Sequence, residues 1–541
     1  MASTGEALIR LLADYGIDTV FGIPGVHTLE FCRALSDDGR PGTIRHVRAR
    51  HELGAGFMAE GWARATGRPG VAVVISGPGV TNAATALGQC WADSLPLLLI
   101  SAEAESASIG RGRGVLHEIS EQRRATEPLT ALSVSVRRPE ELPEALARAF
   151  ALFACDRPRP VHISVPIDVQ EAPAGEGWQA VEPPAPPAPD PATLAAMAAR
   201  LAGAERPLII AGGGATGAGA AVRRIAEALE APVATTIAGK GIVPDSHPLA
   251  LGAAMVRREG VELIAGADVI LAVGTELAET DCFEAPLRLT GTLLRIDRDR
   301  AKLAGEPLAA IGLCADARPA AEALATRLEA AGPARPRPGW GREAAAALRA
   351  RLRGPGARLS EGERRHVRLL EAMRAALPDE TMWFVDATQP AYTGAFAMPM
   401  EAPRHWHYPT GYCALGCALP GAIGASLARP GEPVVALAGD GGFMFTAPEL
   451  LTAADLGLSL PVVVWDNGAY GQIRDDMRAR GIAPVGVGGL GPDWRALAAA
   501  CRAAHAEPAD GEELGAALRV ALAAGRPTLI RVDAAAPWLG A

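Results

Sequence analysis

Three polar residues in apolar or small-residue surroundings carry the chemistry this sequence offers. Asp440 ends the apolar run VVALAG and is followed by Gly441 and Gly442, with Gly439 before it. Asn467 ends the next apolar run, PVVVWDN. Neighbouring parallel strands would bring Asp440 and Asn467 together at one sheet edge. A carboxylate and an amide oxygen there are hard ligands suited to magnesium. Gly439, Gly441 and Gly442 let backbone N–H groups approach a phosphate, and a following helix adds its positive end. Magnesium with a diphosphate fits this pattern; the competing reading is that Asp440 merely caps a helix. The third residue is Glu52, in RHVRARHELGAGFMAEGWARATG. Gly54, Ala55, Gly56, Ala59 and Gly61 after it allow close packing. A carboxylate among apolar residues is suited to exchanging a proton, against the alternative of a solvated helix face.

The elements that must position these residues follow one pattern. GVAVVIS, PLLLISA and PVHISVP read as buried strands in the first part of the chain, and PLIIAGGG, APVATT, DVILAVG and LLRID in the second. MWFVDA, VVALAGD, PVVVWDN and TLIRVD do so in the third. Short continuous apolar runs alternating with helical stretches predict an α/β fold of doubly wound parallel sheets. Ligands in such folds bind beyond the C-terminal strand ends, where Asp440 lies. The Pro-rich stretch EAPAGEGWQAVEPPAPPAPDP reads as a linker, and GPARPRPGWGRE as the start of a second. The predicted organisation is an N-terminal domain over 1–170, a linker over 171–191, a middle domain over 192–331, a linker over 332–360 and a C-terminal domain over 361–541.

At 541 residues the chain is too long for one core. Its net charge of −9 and scattered basic residues argue against nucleic acid or an anionic membrane as partner. No apolar run reaches the roughly 18 residues that span a bilayer. MASTGEALIRLLADYG is an amphipathic helix pattern without the basic and apolar regions of a signal peptide. The eight cysteines are dispersed without a CxxC pair, which predicts reduced thiols and a cytoplasmic location rather than a zinc site.

FGIPG, RHELGAGFMAEGWAR, SGPGVTNAATAL and GDGG followed by Asn467 occur in that order over nearly the whole chain. Together they resemble the thiamine-diphosphate enzymes of the acetolactate synthase and 2-oxo-acid decarboxylase superfamily. The resemblance implies a pyrimidine-binding N-terminal domain, a middle domain that is structural or binds FAD, and a C-terminal domain for the diphosphate and metal. It makes Asp440, Asn467 and the carbonyl of Ala469 the magnesium ligands. Glu52 matches the glutamate that protonates the pyrimidine ring. Leu415 matches the bulky residue that bends the cofactor, and the carbonyl of Cys413, where the family usually has glycine, would accept from its amino group. Thr388 and Gln389 of DATQP match a diphosphate-contacting turn. Pro24, Pro78, Asn82 and Tyr470 are further cofactor candidates, with Pro78 to Asn82 expected as a loop near the pyrimidine of a partner subunit. Shared active sites imply a homodimer or homotetramer.

The middle block contains Gly212-x-Gly214-x-x-Gly217 after a strand, which matches a dinucleotide fingerprint. Glu230, the nearest acidic residue at a plausible later position, falls within a helical run, so the motif reads as a structural turn; FAD is possible but not favoured. For the substrate, a 2-oxo acid, His27 and His117 are candidate acids that release an aldehyde after decarboxylation. Asp475 and Asp476 could pair with a guanidinium, or form a solvated helix face. His27, His117 and the WDNGAYGQIRDDM segment together are similar to the 5-guanidino-2-oxopentanoate decarboxylases. Carboligation of pyruvate, as in acetolactate synthases, and other thiamine-dependent C–C cleavage remain the alternatives.

Overall fold

The computed structural model describes residues 2–37, 39, 43–332, 336–354, 356–489 and 491–540. The parallel strands foreseen from the apolar runs are present, and the chain divides into two compact units. One comprises 1–185, 412–507 and 519–532; the other comprises 186–411, 508–518 and 533–541.

In the first unit, seven strands form a parallel sheet: β1 (Thr19–Gly22), β2 (Leu35–Ser36), β3 (Ile44–Arg48), β4 (Gly70–Val74), β5 (Leu97–Glu103), β6 (Leu132–Ser135) and β7 (Val161–Pro166). Their order is β2-β3-β1-β4-β5-β7-β6. β4, β5 and β7 are buried along their whole length, which explains why they read as unbroken apolar runs. One face of the sheet packs on a core that includes Leu8, Leu12, Phe31, Ile100, Leu146, Phe150 and Ile163. The N-terminal helix Thr4–Asp14 joins that core and starts at a capping box made by Ser3 and Glu6.

In the second unit, β8 (Pro207–Ala211), β9 (Val233–Thr235), β10 (Ala250–Gly252), β11 (Val269–Val273), β12 (Thr292–Asp297) and β13 (Ile311–Cys314) make a parallel sheet in the order β10-β9-β8-β11-β12-β13. Apolar clusters lie on both of its faces. The same unit holds the parallel pair β14 (Met382–Val385) and β15 (Trp406–His407). The stretch 332–360, expected as a linker, contains the helix Arg342–Arg353 instead. Ala345, Leu348 and Leu352 on that helix are buried in one of the clusters. Three apolar contacts at helical spacing suffice to dock it, and its many arginines and alanines hid that spacing.

The third block adds to the first unit β16 (Val434–Gly439), β17 (Pro461–Asp466), β18 (Ala504–Ala506) and β19 (Thr528–Asp533), in the order β16-β17-β19-β18. Within this unit the helix Glu52–Thr66 packs closely on the helix Ala418–Ala428. A Cβ on Gly61 would sit 2.1 Å from the Gly421 carbonyl, and one on Gly424 2.0 Å from that of Met58. The small residues around Glu52 therefore serve helix–helix contact.

Candidate functional site

The β16–β17 register sets Gly439 opposite Trp465, so both strands end at one level. Asp440 and Asn467 emerge there together, and the Asn467 backbone N–H donates to the Asp440 carboxylate. Burial pushes the Asp440 carboxyl above its usual range, and the nearby Asp466 charge adds to this; the N–H groups of Gly441, Asp440 and Asn467 oppose it. Asp466 is itself engaged, accepting from Trp494 Nε1 at 3.0 Å and Arg531 Nε at 2.7 Å. Asn467 Oδ1 accepts from the Ala469 N–H at 3.0 Å across Gly468, whose φ is +64°. Ala469 pairs with Gly488, and the Tyr470 N–H donates to the Val487 carbonyl at 2.8 Å.

The helix Asp440–Thr446 begins at Asp440 itself, and its N-cap is Gly439, which makes no side-chain capping bond. Asp440 is thus a half-buried carboxylate beside a second acid rather than a cap. One carboxylate, one amide oxygen and the Ala469 carbonyl are the residues here that could offer an all-oxygen donor set, and a divalent cation would relieve the crowding of negative charge around Asp440. No cluster of three His, Cys, Asp or Glu suited to a metal exists among the described residues. The Tyr470 ring lies over Gly441, where a Cβ would come 2.6 Å from Cε1. Gly442 is buried.

Leu415 sits half-buried in a turn held from two sides. The Ala414 N–H donates to Oε1 of the buried Gln89 at 3.0 Å. Thr446 Oγ1 donates to the Gly416 carbonyl at 2.7 Å. Cys413 has φ +57°, a left-handed conformation that explains why glycine suits this position.

Glu52 is 7% exposed and opens the helix Glu52–Thr66. Asn82 Nδ2 donates to its Oε2 at 2.9 Å, so two candidate residues meet within one chain. Pro78–Asn82, expected as a loop, is instead the start of the helix Pro78–Asp93. Pro78 occupies its first turn, where a missing N–H costs nothing, and Gly77 at φ +58° makes the entry.

His27 and His117 meet edge to face, with ring centroids 5.0 Å apart. His27 is buried and its Nδ1 lies 2.5 Å from Ser76 Oγ. Burial, and secondarily His117, lower the His27 pKa below its ordinary value. His117 has φ +60°, and its buried Nδ1 has no hydrogen-bond partner among the described residues. Pro24 is exposed in the turn just before the short helical turn Val26–Thr28 that carries His27. Gln122 organises this corner: its Oε1 accepts from the Gly77 N–H at 2.8 Å, and its Nε2 donates to the Ala102 carbonyl and Ser164 Oγ, both at 2.7 Å. Sequence reasoning missed Gln89 and Gln122. Each is a single polar residue acting through contacts distant in sequence, and no local pattern marks either one.

Thr388 is the N-cap of the helix Gln389–Ala397 in the second unit and makes no side-chain capping bond. Asp475 accepts from Arg474 Nε at 3.1 Å and Asp476 from Gln472 Nε2 at 3.1 Å, so both carboxylates have partners within their own helix. Glu230 is the C-cap of the helix Gly219–Leu229 and pairs with Arg342 at 3.0 Å. All eight cysteines are free thiols. No helix among the described residues is long and apolar enough to cross a membrane.

Residues 2–124 match the thiamine pyrophosphate enzyme N-terminal TPP binding domain, 194–324 the central domain and 386–532 the C-terminal TPP binding domain. The chain is 49% identical over 539 residues to the probable 2-ketoarginine decarboxylase AruI of Pseudomonas aeruginosa, covering 98% of this chain and 94% of that protein. It is 33% identical over 480 residues to the acetolactate synthase isozyme 1 large subunit of Escherichia coli, covering 87% and 82%. The probable acetolactate synthase large subunit of Methanocaldococcus jannaschii is 30% identical over 498 residues, covering 86% and 80%.

Proposed function

As the chain belongs to the thiamine pyrophosphate enzyme family, we propose that it decarboxylates 5-guanidino-2-oxopentanoate, the 2-oxo analogue of arginine, to 4-guanidinobutanal and carbon dioxide. It is a thiamine-diphosphate-dependent carboxy-lyase. The observation that carries the substrate is the 49% identity along nearly the whole chain to a probable 2-ketoarginine decarboxylase, against 33% and 30% to acetolactate synthases.

When bound, thiamine diphosphate supplies the carbon nucleophile and the electron sink for loss of carbon dioxide. In this reading Asp440, Asn467 and the Ala469 carbonyl hold magnesium against the diphosphate. Glu52, steadied by Asn82, exchanges a proton with the pyrimidine ring through its carboxyl oxygen. Leu415, clamped through Ala414 and Gly416, supplies the apolar wedge that orients the cofactor, with the Cys413 carbonyl beside it. The His27–His117 pair holds the proton needed to release an aldehyde. Ser76 occupies His27 Nδ1, which leaves Nε2 to face the reaction. Pro24, Pro78 and Tyr470 line the approaches.

The domain limits proposed are 1–170 for the pyrimidine domain, 192–331 for the middle domain and 361–541 for the diphosphate domain. Exposed apolar residues near these groups, among them Val26, Leu29, Leu116, Tyr412, Phe445 and Tyr470, support a homodimer or homotetramer with shared sites; the dispersed cysteines without a CxxC pair support a cytoplasmic location.

The test is turnover by the full-length enzyme with thiamine diphosphate and magnesium, offered a panel of 2-oxo acids. The expected result is equimolar carbon dioxide and 4-guanidinobutanal from the guanidino acid. Absence of that turnover, or acetolactate from pyruvate as the main product, would overturn the proposal.

A further inference from the structure

The turn that leads from β3 into the Glu52 helix is held by a carboxylate buried beneath it. Glu449, on the helix Glu449–Asp455, is 1% exposed. Its Oε1 accepts from the backbone N–H of Arg50 at 3.0 Å and of His51 at 3.1 Å. Its Oε2 accepts from the Arg50 N–H at 3.2 Å and from the Thr452 hydroxyl at 2.7 Å. Asp455, one turn further on, takes the guanidinium groups of Arg48 and Arg50. His51 is the N-cap of the Glu52 helix, so these bonds fix the residues that decide where the helix starts. Burial pushes the Glu449 carboxyl up; Thr452 and the two backbone N–H groups oppose it. The fit is tight, since a Cβ on Gly54 would come 2.1 Å from Glu449 Oε1.

We propose that Glu449 is a positioning residue for Glu52: it pins the Arg50–His51 backbone so that the helix begins at Glu52 and the Glu52 carboxyl stays against Asn82. This rests on the reading of Glu52 as the proton-exchanging group. Glu449 follows the Asp440–Thr446 helix directly in sequence. The segment that presents Asp440 therefore also sets the Glu52 of its own chain. Removing the carboxylate takes the shared acceptor from two part-buried backbone donors, which loosens the turn. A glutamine retains an oxygen for those donors and can give its amide hydrogens to Thr452.

The experiment compares Glu449→Ala, Glu449→Gln, Gly54→Ala and the Gly54→Ala/Glu449→Ala double variant as full-length holoenzymes. Steady-state kinetics are read alongside amide hydrogen exchange over residues 49–53. Glu449→Ala is expected to lower kcat by about 10–100-fold, the range typical of lost supporting contacts, with KM little changed. Exchange at Arg50 and His51 rises in parallel. Glu449→Gln recovers most of both. Gly54→Ala pushes the carboxylate off the backbone and mimics Glu449→Ala. In the double variant the new methyl fills the vacated space, so the two effects do not add.

Wild-type kcat and exchange in Glu449→Ala would overturn the proposal, as would full additivity in the double variant. If Glu449→Ala fails to fold, wild-type kcat and exchange in Gly54→Ala would do the same. Glu52→Gln, measured alongside, separates the two levels: full turnover there removes the reading of Glu52, whereas its loss with an unaffected Gly54→Ala removes this inference alone.

Discussion

The turn after β16 and the turn after β8 share one local recipe: a buried parallel strand, a cluster of glycines, then a helix. Their surroundings differ. After β8, the Gly212 N–H donates to the Val273 carbonyl at 2.9 Å and the Gly214 N–H to the Gly274 carbonyl at 3.0 Å. A Cβ on Gly212 would lie 2.3 Å from the Gly274 oxygen. These glycines let two strand ends close on each other, and the N–H groups that would cradle a pyrophosphate are spent on that contact. After β16, the backbone N–H groups of Gly441 and Asn467 converge on a carboxylate whose own pKa burial has raised. The difference teaches that a glycine-rich strand–helix turn marks a ligand site only when a charged group and its donors remain aimed at the strand end.

That contrast can be broken or sharpened by substitution. The largest effect is expected from Glu52→Gln, about 10²–10⁴-fold in kcat, the usual worth of a positioned proton donor; steady-state turnover checks it. Next comes the histidine pair. The His27 pKa lies below its ordinary value, so a rate that needs the protonated pair falls as pH rises through a value below 6.5. His117→Gln removes the neighbouring charge but not the burial, the larger cause. The alkaline limb of kcat/KM should therefore move up while the plateau drops; a limb that stays in place or moves down would contradict the pairing. In the other turn, Gly212→Ala should destabilise the fold by about 1–3 kcal/mol through overpacking. Its kcat per folded enzyme should not change, as thermal unfolding and active-site titration would show. The smallest effect belongs to Gly217→Ala, where nothing lies within 4 Å of the new methyl; stability should stay within about 0.5 kcal/mol.

Much of this was legible in advance because the central strands are buried on both faces and read as continuous apolar runs, as with Val434–Gly439 and Pro461–Asp466. The edge strand β2, only two residues long, and β3, whose residues Ile44–Arg48 mix buried and exposed positions, carry no such run. Asp440, Asn467 and Glu52 stood out because polar residues at strand ends or among small residues are conspicuous. Gln89, Gln122 and Glu449 were not legible. Each bonds to backbone distant in sequence, and Glu449 at a helix start looks like an ordinary helix-dipole acid until its burial under Arg50 and His51 is seen. The helix Arg342–Arg353 was lost to its own composition.

In the proposed reading the strand end at Asp440, and not the turn at Gly212, holds the cofactor. Calorimetric titration of thiamine diphosphate into the full-length protein with magnesium tests it most directly. Saturable binding is expected in the wild type, retained in Gly217→Ala and lost in Asp440→Ala or on chelating the metal. Undiminished binding to a folded Asp440→Ala variant would contradict it.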